Sequence, residues 1–232
     1  ARVACPPCAG GGSSTSGGQV CLLTAPITVG RWVALGIVVI PLEAPEIAAT
    51  ARAGQFVNLG WSGVFLRRPF SIYGAEGERI EFVLKAVGRG TSQLLAMRPG
   101  DVISCLGPLG HGFELAAGPR TAVLVSGGLG VAPMPLAARE AHALGMRVTW
   151  VHGARNGYER CIEAEGGEVI WATADGSRWA AGTAVAAHPD GDAVLARWPN
   201  SVLDCGAARL PPSAVRCGRS LGCGLGCGRA HR

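Results

Sequence analysis

Hydrophobic and polar positions follow two grammars along this chain. In the first half, apolar residues come in short runs of strand composition: Val33 to Ile40, Phe56 to Leu59, Phe70 to Tyr73, Ile80 to Val87 and Val102 to Leu106. They are broken at Gly54, at Gly60, across residues 74–77, at Gly88-Arg89-Gly90 and at Pro99-Gly100-Asp101. Short runs at this spacing predict a small antiparallel barrel or sandwich. From Thr121 the pattern changes. A continuous apolar run to Ser126 is followed by a glycine loop and a helical stretch from Pro133 to Leu144 that stops at Gly145. A strand from Arg147 to Val151 comes next, then others at Glu168 to Thr173 and Ser201 to Leu203, with a turn at Asp175-Gly176-Ser177. Strands alternating with helical segments predict a parallel sheet covered on both faces. The boundary between the two halves is expected near Ala117-Gly118-Pro119. The fold class is therefore two-domain, with a barrel over residues 31–117 and an α/β domain over 118–206. Residues 1–30 are expected to form a flexible leader, since a Gly, Ser and Thr run fills 10–18.

Composition narrows the class. Of 232 residues, 48% are apolar and 16% charged, which excludes disorder and supplies a core. The net charge of +5 is unevenly placed: residues 1–204 carry 16 basic and 16 acidic side chains, while 205–232 carry five arginines and no acid. A nucleic-acid-binding face would spread its charge over the fold, so no nucleic-acid partner is expected. The longest apolar run, Val33 to Leu42, has ten residues against the roughly 18 of a membrane span, so no membrane partner is expected either. Nine cysteines cluster toward the ends rather than forming a disulfide framework, which favours the cytoplasm. Cys5-Pro6-Pro7-Cys8 has no second pair at zinc spacing and reads as an incidental part of the leader. The first residue is not Met and no signal segment follows it, so a fragment or a processed chain is expected.

Three segments carry candidate chemistry. In Arg67-Arg68-Pro69-Phe70-Ser71-Ile72-Tyr73, an arginine stiffened by the next proline could hold a diphosphate; a solvated arginine pair on an edge strand fits the same residues. Downstream, Val83-Leu84-Lys85 leads to Gly88-Arg89-Gly90-Thr91, where the glycines permit close backbone approach and Thr91 is placed to cap a helix over Ser92 to Met97. Lys85 is the one lysine in the chain. In the second half, Ser126-Gly127-Gly128-Leu129-Gly130-Val131-Ala132-Pro133 follows a buried strand and opens a helix, where backbone N–H groups would cradle a pyrophosphate. It is not a complete dinucleotide fingerprint: Pro133 replaces the third glycine, and no acid lies about 20 residues on to hold a ribose. The five histidines show no metal spacing, and no nucleophile–base constellation stands out.

Taken with Gly107-Pro108-Leu109-Gly110-His111-Gly112-Phe113, these segments resemble the flavin domain of the ferredoxin–NAD(P) reductase superfamily. Their order is similar to that in the electron-transfer subunits of B-type, NAD-dependent dihydroorotate dehydrogenases, over about residues 31–206. The resemblance implies FAD contacts at Arg68, Pro69, Phe70 and Ser71, at Val83, Leu84 and Lys85, and at Gly90 and Thr91. On the NAD side it implies Gly127, Gly128 and Gly130, with Cys205 near the nicotinamide, where Ala207 replaces the family's proline. It further implies an FMN-containing catalytic partner in a heterotetramer, with electrons passing through a [2Fe–2S] cluster and FAD to NAD+ in pyrimidine biosynthesis. A reductase subunit serving sulfite reductase, hydrogenase or a glutamate synthase-like complex stays open, as does a non-catalytic FAD-binding assembly module.

The family's cluster needs four converging thiolates, three from a Cys-x4-Cys-x2-Cys loop. Here Cys223 and Cys227 stand at the start of such a loop, but three residues rather than four separate them, and no later cysteine follows. Residues 207–232 are therefore expected to be a remnant of the iron–sulfur region, truncated or disturbed in frame.

Overall fold

The computed structural model describes residues 19–113, 115, 121–158, 168–177, 180–181, 202–206 and 220–222. The proposed boundary at 117–119, Cys5 and Cys8, and Cys223 and Cys227 lie outside them.

The first half forms two four-stranded antiparallel sheets. One runs β1 (Cys21–Pro26), β8 (Val102–Leu109), β4 (Phe56–Gly60), β5 (Arg68–Ser71). The other runs β2 (Arg31–Ala34), β3 (Ile37–Glu43), β7 (Arg79–Lys85), β6 (Gly74–Glu76). Two short helices, α1 (Pro45–Ala48) and α2 (Arg89–Leu95), complete it. Their shared interior holds Leu42, Leu59, Ile72, Ile80, Phe82, Leu84 and Ile103, all at most 2% exposed. The rings of Phe70 and Phe82 lie 5.3 Å apart, bringing β5 onto β7.

Two sequence expectations change here. Residues 21–26, assigned to the leader, are strand β1, paired with β8 from Cys21 opposite Gly107 to Pro26 opposite Val102. Its own apolar alternation is weak; the ladder to a partner some 80 residues away makes it a strand, and its proline sits at the end of a sheet edge where the missing N–H costs nothing. The single run from Val33 to Ile40 is a hairpin, because Gly36 adopts φ +72° and turns the chain between β2 and β3.

The second half is one parallel sheet in the order β12 (Ala180–Ala181), β11 (Glu168–Thr173), β10 (Arg147–Ala154), β9 (Thr121–Gly127), β13 (Val202–Gly206), β14 (Ser220–Gly222). Residues 122–126 of β9 are all buried, which is why that strand reads as a continuous run rather than an alternation. Helix α3 (Met134–Ala143) buries Met134, Leu136, Ala137, Ala138 and Ala141. Strand order reverses at β9, with β10 and β11 on one side and β13 on the other. Open α/β sheets bind ligands in the crevice beyond the carboxyl ends of the strands at such a point. Among the described residues no helix is long and apolar enough to cross a membrane.

The halves meet at residues 53–55 and at Glu76 of β6, whose carboxylate lies 3.6 Å from the Arg139 guanidinium on α3. The Ala53 N–H donates to a Glu140 carboxylate oxygen on α3 at 2.7 Å, and the Ala53 carbonyl accepts from the Phe113 N–H at 2.8 Å. Gly54 has φ +88°, and a Cβ there would stand 3.2 Å from the Phe113 ring. The Gln55 amide donates to the Gly110 carbonyl at 3.2 Å, and its backbone carbonyl accepts from the Ile72 N–H at 3.0 Å. The glycine-rich string ending in Phe113 thus braces the first-half side of this joint. Gly36→Ala, which faces open space, should cost only the left-handed strain of about 1–2 kcal/mol. Gly54→Ala adds overpacking against Phe113 and should cost about 2–5 kcal/mol in total. Urea denaturation of the two variants checks this, and equal costs would contradict the packing role of Gly54.

Candidate functional site

Strand β5 is a sheet edge, which accommodates Pro69 opposite Asn58. The two arginines before it have separated roles. Arg67 donates to the Ser104 carbonyl at 3.1 Å and to the Ser104 hydroxyl at 2.8 Å, pinning the entry of β5 across β4 onto β8. Burial pushes the neighbouring Cys105 thiol up to about 12, against the opposing pull of Arg67, so that thiol is inert packing. No hydrogen bond or ion pair ties the exposed Arg68 side chain to the described residues. Its guanidinium lies beside Gly90, where a Cβ would stand 3.6 Å from Nε. Two segments twenty residues apart in sequence are thereby joined into one cationic corner.

That corner opens on the first turn of α2, which begins earlier than the expected Ser92. Gly88 is the N-cap and Thr91 the third helical residue, so Thr91 does not cap in the way foreseen. Its hydroxyl oxygen reaches back to accept the N–H groups of Val87 at 3.0 Å and Gly88 at 3.1 Å, while its O–H donates to the Gly88 carbonyl at 2.9 Å. Satisfying the chain before the helix this way leaves the first-turn N–H groups of Arg89, Gly90 and Thr91 as outward donors. Val83 and Leu84, on opposite faces of β7, are both buried, so only their backbone can face a ligand. Phe70, Ser71 and Lys85 are half-buried at the ends of β5 and β7.

In the second half, β9 ends at Gly127, and a 3₁₀ turn (Gly128–Val131) leads to α3. Gly128 has φ +55°, and a Cβ there would enter open space, so a backbone approach from outside is unobstructed. Beneath the loop, Ser126 takes the Trp150 indole N–H at 2.9 Å and hydrogen-bonds His152 Nδ1 at 2.8 Å, all three buried. This network locks the ends of β9 and β10 level. Ser126 stands opposite His152 and Cys205 in the ladder, and Gly127 stands opposite Gly153 and Gly206. A row of three glycines therefore crosses three adjacent strands at the switch point, with Cys205 one position below it. The sequence points to Gly127 and to the Cys205-Gly206 pair but not to Gly153, because only the strand register aligns that glycine with the others.

The loops after β10 and β11 are also stitched together. The Ala174 N–H donates to the Ala154 carbonyl at 3.0 Å, the Asp175 N–H to the Arg155 carbonyl at 3.3 Å, and the Gly157 N–H to the Ser177 hydroxyl at 3.0 Å. Among the described residues, no group of three or more His, Cys, Asp and Glu side chains could hold a metal ion.

Across the joint, burial raises the Glu140 carboxyl above its ordinary value, opposed by the Ala53 N–H and by nearby Arg52. A raised acid favours the folded state most when protonated. Its contribution is fully present below the unfolded value and is lost as pH rises through the folded value. Glu140→Gln keeps an acceptor for Ala53 without the titration. The stability difference, variant minus wild type, should therefore grow as pH rises through the carboxylate range and then level off. Urea midpoints of both proteins over a pH series measure it; a difference that shrinks with rising pH would contradict it.

No family model matches the chain. The "Dihydroorotate dehydrogenase B (NAD(+)), electron transfer subunit" of Bacillus cereus (strain Q1) is 33% identical over 211 residues, covering 84% of this chain and 81% of that one. The protein of the same name from Listeria monocytogenes serotype 4a (strain HCC23) is 32% identical over 196 residues, covering 78% and 77%. Of the solved structures, an NADH-dependent reduced ferredoxin–NADP oxidoreductase superposes with a TM-score of 0.66 at 25% identity, over 79% of this chain and 67% of that one. The ferredoxin reductase of carbazole 1,9a-dioxygenase superposes with a TM-score of 0.67 at 20% identity, over 84% of this chain and 63% of that one, a likeness of fold.

Proposed function

The chain belongs to the family of dihydroorotate dehydrogenase B electron transfer subunits, and on that premise we propose how its residues serve the transfer of electrons from a dihydroorotate-oxidising partner to NAD+. The partner is an FMN-containing catalytic subunit joined in a cytoplasmic heterotetramer, and oxidation of dihydroorotate to orotate releases two electrons and two protons. FAD, when bound, supplies the redox chemistry that accepts those electrons and delivers a hydride to NAD+. This chain's own side chains do no bond-breaking; they bind, orient and exclude water.

The observation that supports FAD binding here is the division of labour between Arg67 and Arg68. With Arg67 spent on Ser104, Arg68 is a cation beside Gly90 and the outward N–H groups of the first α2 turn. A diphosphate fits that donor set, because a guanidinium and several backbone N–H groups can share two phosphates. Arg68, Gly90 and Thr91 would hold it. The backbone of 69–71 and of 83–85, with the half-buried Phe70 and Ser71, would border the flavin ring. On the facing side, Gly127, Gly128 and Gly130 would take the pyrophosphate of NAD+, and the glycine row would let the nicotinamide lie flat near Cys205.

The [2Fe–2S] cluster belongs to the same reading. Cys223 and Cys227 would supply two thiolates of the four required, so the other ligands must come from outside that pair. Iron and acid-labile sulfide assays after reconstitution test it. About two irons per chain support a cluster, and none contradicts it without touching the flavin. Arg68→Ala should weaken FAD binding about tenfold or more, since hydrogen bonds to charged groups are worth about 1.5–3 kcal/mol. Arg67→Ala should retain FAD and lose stability instead. Flavin fluorescence titration with thermal melting separates the two; equal FAD affinity in Arg68→Ala and wild type would overturn the assignment.

A further inference from the structure

Trp61 follows β4 directly, and both ends of the loop it opens are fixed on Ser104. Gly60 stands opposite Ser104 in the β4–β8 ladder, and Arg67 donates to the Ser104 hydroxyl at 2.8 Å. Within the loop the Val64 N–H donates to the Trp61 carbonyl at 3.2 Å, and a Cβ on Gly63 would stand 3.6 Å from Gln93 Nε2 on α2. The clamp therefore lays Trp61 against α2 and delivers Arg68 to the same place.

The two side chains meet at Gly90. A Cβ there would stand 3.6 Å from Arg68 Nε, 3.9 Å from Arg68 Nη2 and 3.8 Å from Trp61 Cζ2. In an indole, Cζ2 and Nε1 are both bonded to Cε2, and their hydrogens leave the same edge of the ring. The edge turned toward Gly90 is thus the one that carries the N–H. Trp61 is only 8% exposed, and its Nε1 is buried with no hydrogen-bond partner among the described residues. A buried indole N–H ordinarily finds an acceptor. That of Trp150 does, at the Ser126 hydroxyl 2.9 Å away. An indole nitrogen can only donate, so the partner that suits Trp61 brings an acceptor oxygen to a corner where a guanidinium already waits. An anion meets both conditions.

We propose that the Trp61 indole N–H donates to a phosphate oxygen of FAD, which makes Trp61 a binding residue for the diphosphate alongside Arg68. The proposal rests on the reading that places the diphosphate at Arg68 and Gly90. Arg68 reaches it on an exposed, flexible side chain and supplies charge. Trp61 is packed in the barrel core and supplies a donor of fixed direction. Binding has to uncover the N–H, and the Arg68 side chain, held by no hydrogen bond or ion pair among the described residues, is the neighbour able to move aside.

Fluorescence titration of the full chain with FAD and, separately, with riboflavin, which has the same ring without the phosphates, tests this. Trp61→Phe keeps an aromatic ring and removes the N–H. It should bind FAD about tenfold more weakly, as the loss of one hydrogen bond to a charged group implies, and riboflavin no more weakly than the wild type. A second measurement needs no variant: with isotope-labelled tryptophan, one of the six indole N–H resonances should move downfield with FAD and not with riboflavin. If Trp61→Phe does not fold, the resonance alone decides. A wild type that binds FAD with no indole resonance moving downfield overturns the inference and leaves the Arg68 site standing. So does a Trp61→Phe variant that binds FAD as well as the wild type, or that loses FAD and riboflavin affinity in equal proportion. A wild type that binds no FAD, or an Arg68→Ala variant with unchanged FAD affinity, removes the diphosphate reading and the inference with it.

Discussion

Residues 53–55 are the point on which both halves of the site depend. Within three residues the chain hands one N–H to Glu140 on α3, one carbonyl to Phe113 and another to Ile72, just past β5. Strand β5 carries the residues proposed to border the flavin, and α3 grows directly out of the glycine loop proposed to take the nucleotide. This backbone segment, with the Arg139–Glu76 ion pair at 3.6 Å between α3 and β6, therefore sets the placement of one half against the other. Electron transfer between stacked rings tolerates little looseness, since a misplacement of about 1 Å can cost two orders of magnitude in rate. That explains why the joint uses a glycine against an aromatic ring and a carboxylate drawn out of water, both costly alone. They stabilise one geometry rather than the fold at large.

Much of the site is backbone, and this shapes what the sequence discloses. Glycines at 90, 127, 128 and 130 are legible because glycine permits close backbone approach and they sit in the turns that open a helix. The alternation of short strands in the first half and the buried run of β9 in the second were enough to place a barrel before a parallel sheet. The family resemblance rested on the order of these segments, and relatives about one-third identical over most of their length bear it out.

What sequence could not disclose is pairing at a distance. Arg67 and Arg68 are chemically identical neighbours; their roles divide because Ser104, on a strand 37 residues away, captures one of them. β1 looks like the end of a leader until β8 gives it a ladder. Thr91 was placed as a cap because a hydroxyl before a helical run usually is one; the glycine before Arg89 allows the helix to start sooner and turns Thr91 back on the incoming chain. Apart from the local turn at Thr91, each of these is a long-range fact of pairing, invisible to spacing along one chain.

The central claim is that one rigid two-part scaffold holds a flavin within hydride reach of a nicotinamide. Anaerobic addition of NADH to the FAD-loaded chain tests it most directly, because the reverse reaction needs no catalytic partner. The visible absorption of the bound flavin should bleach stoichiometrically with NADH and return on addition of an electron acceptor. A chain that binds FAD and NADH together yet keeps its flavin oxidised would contradict the claim.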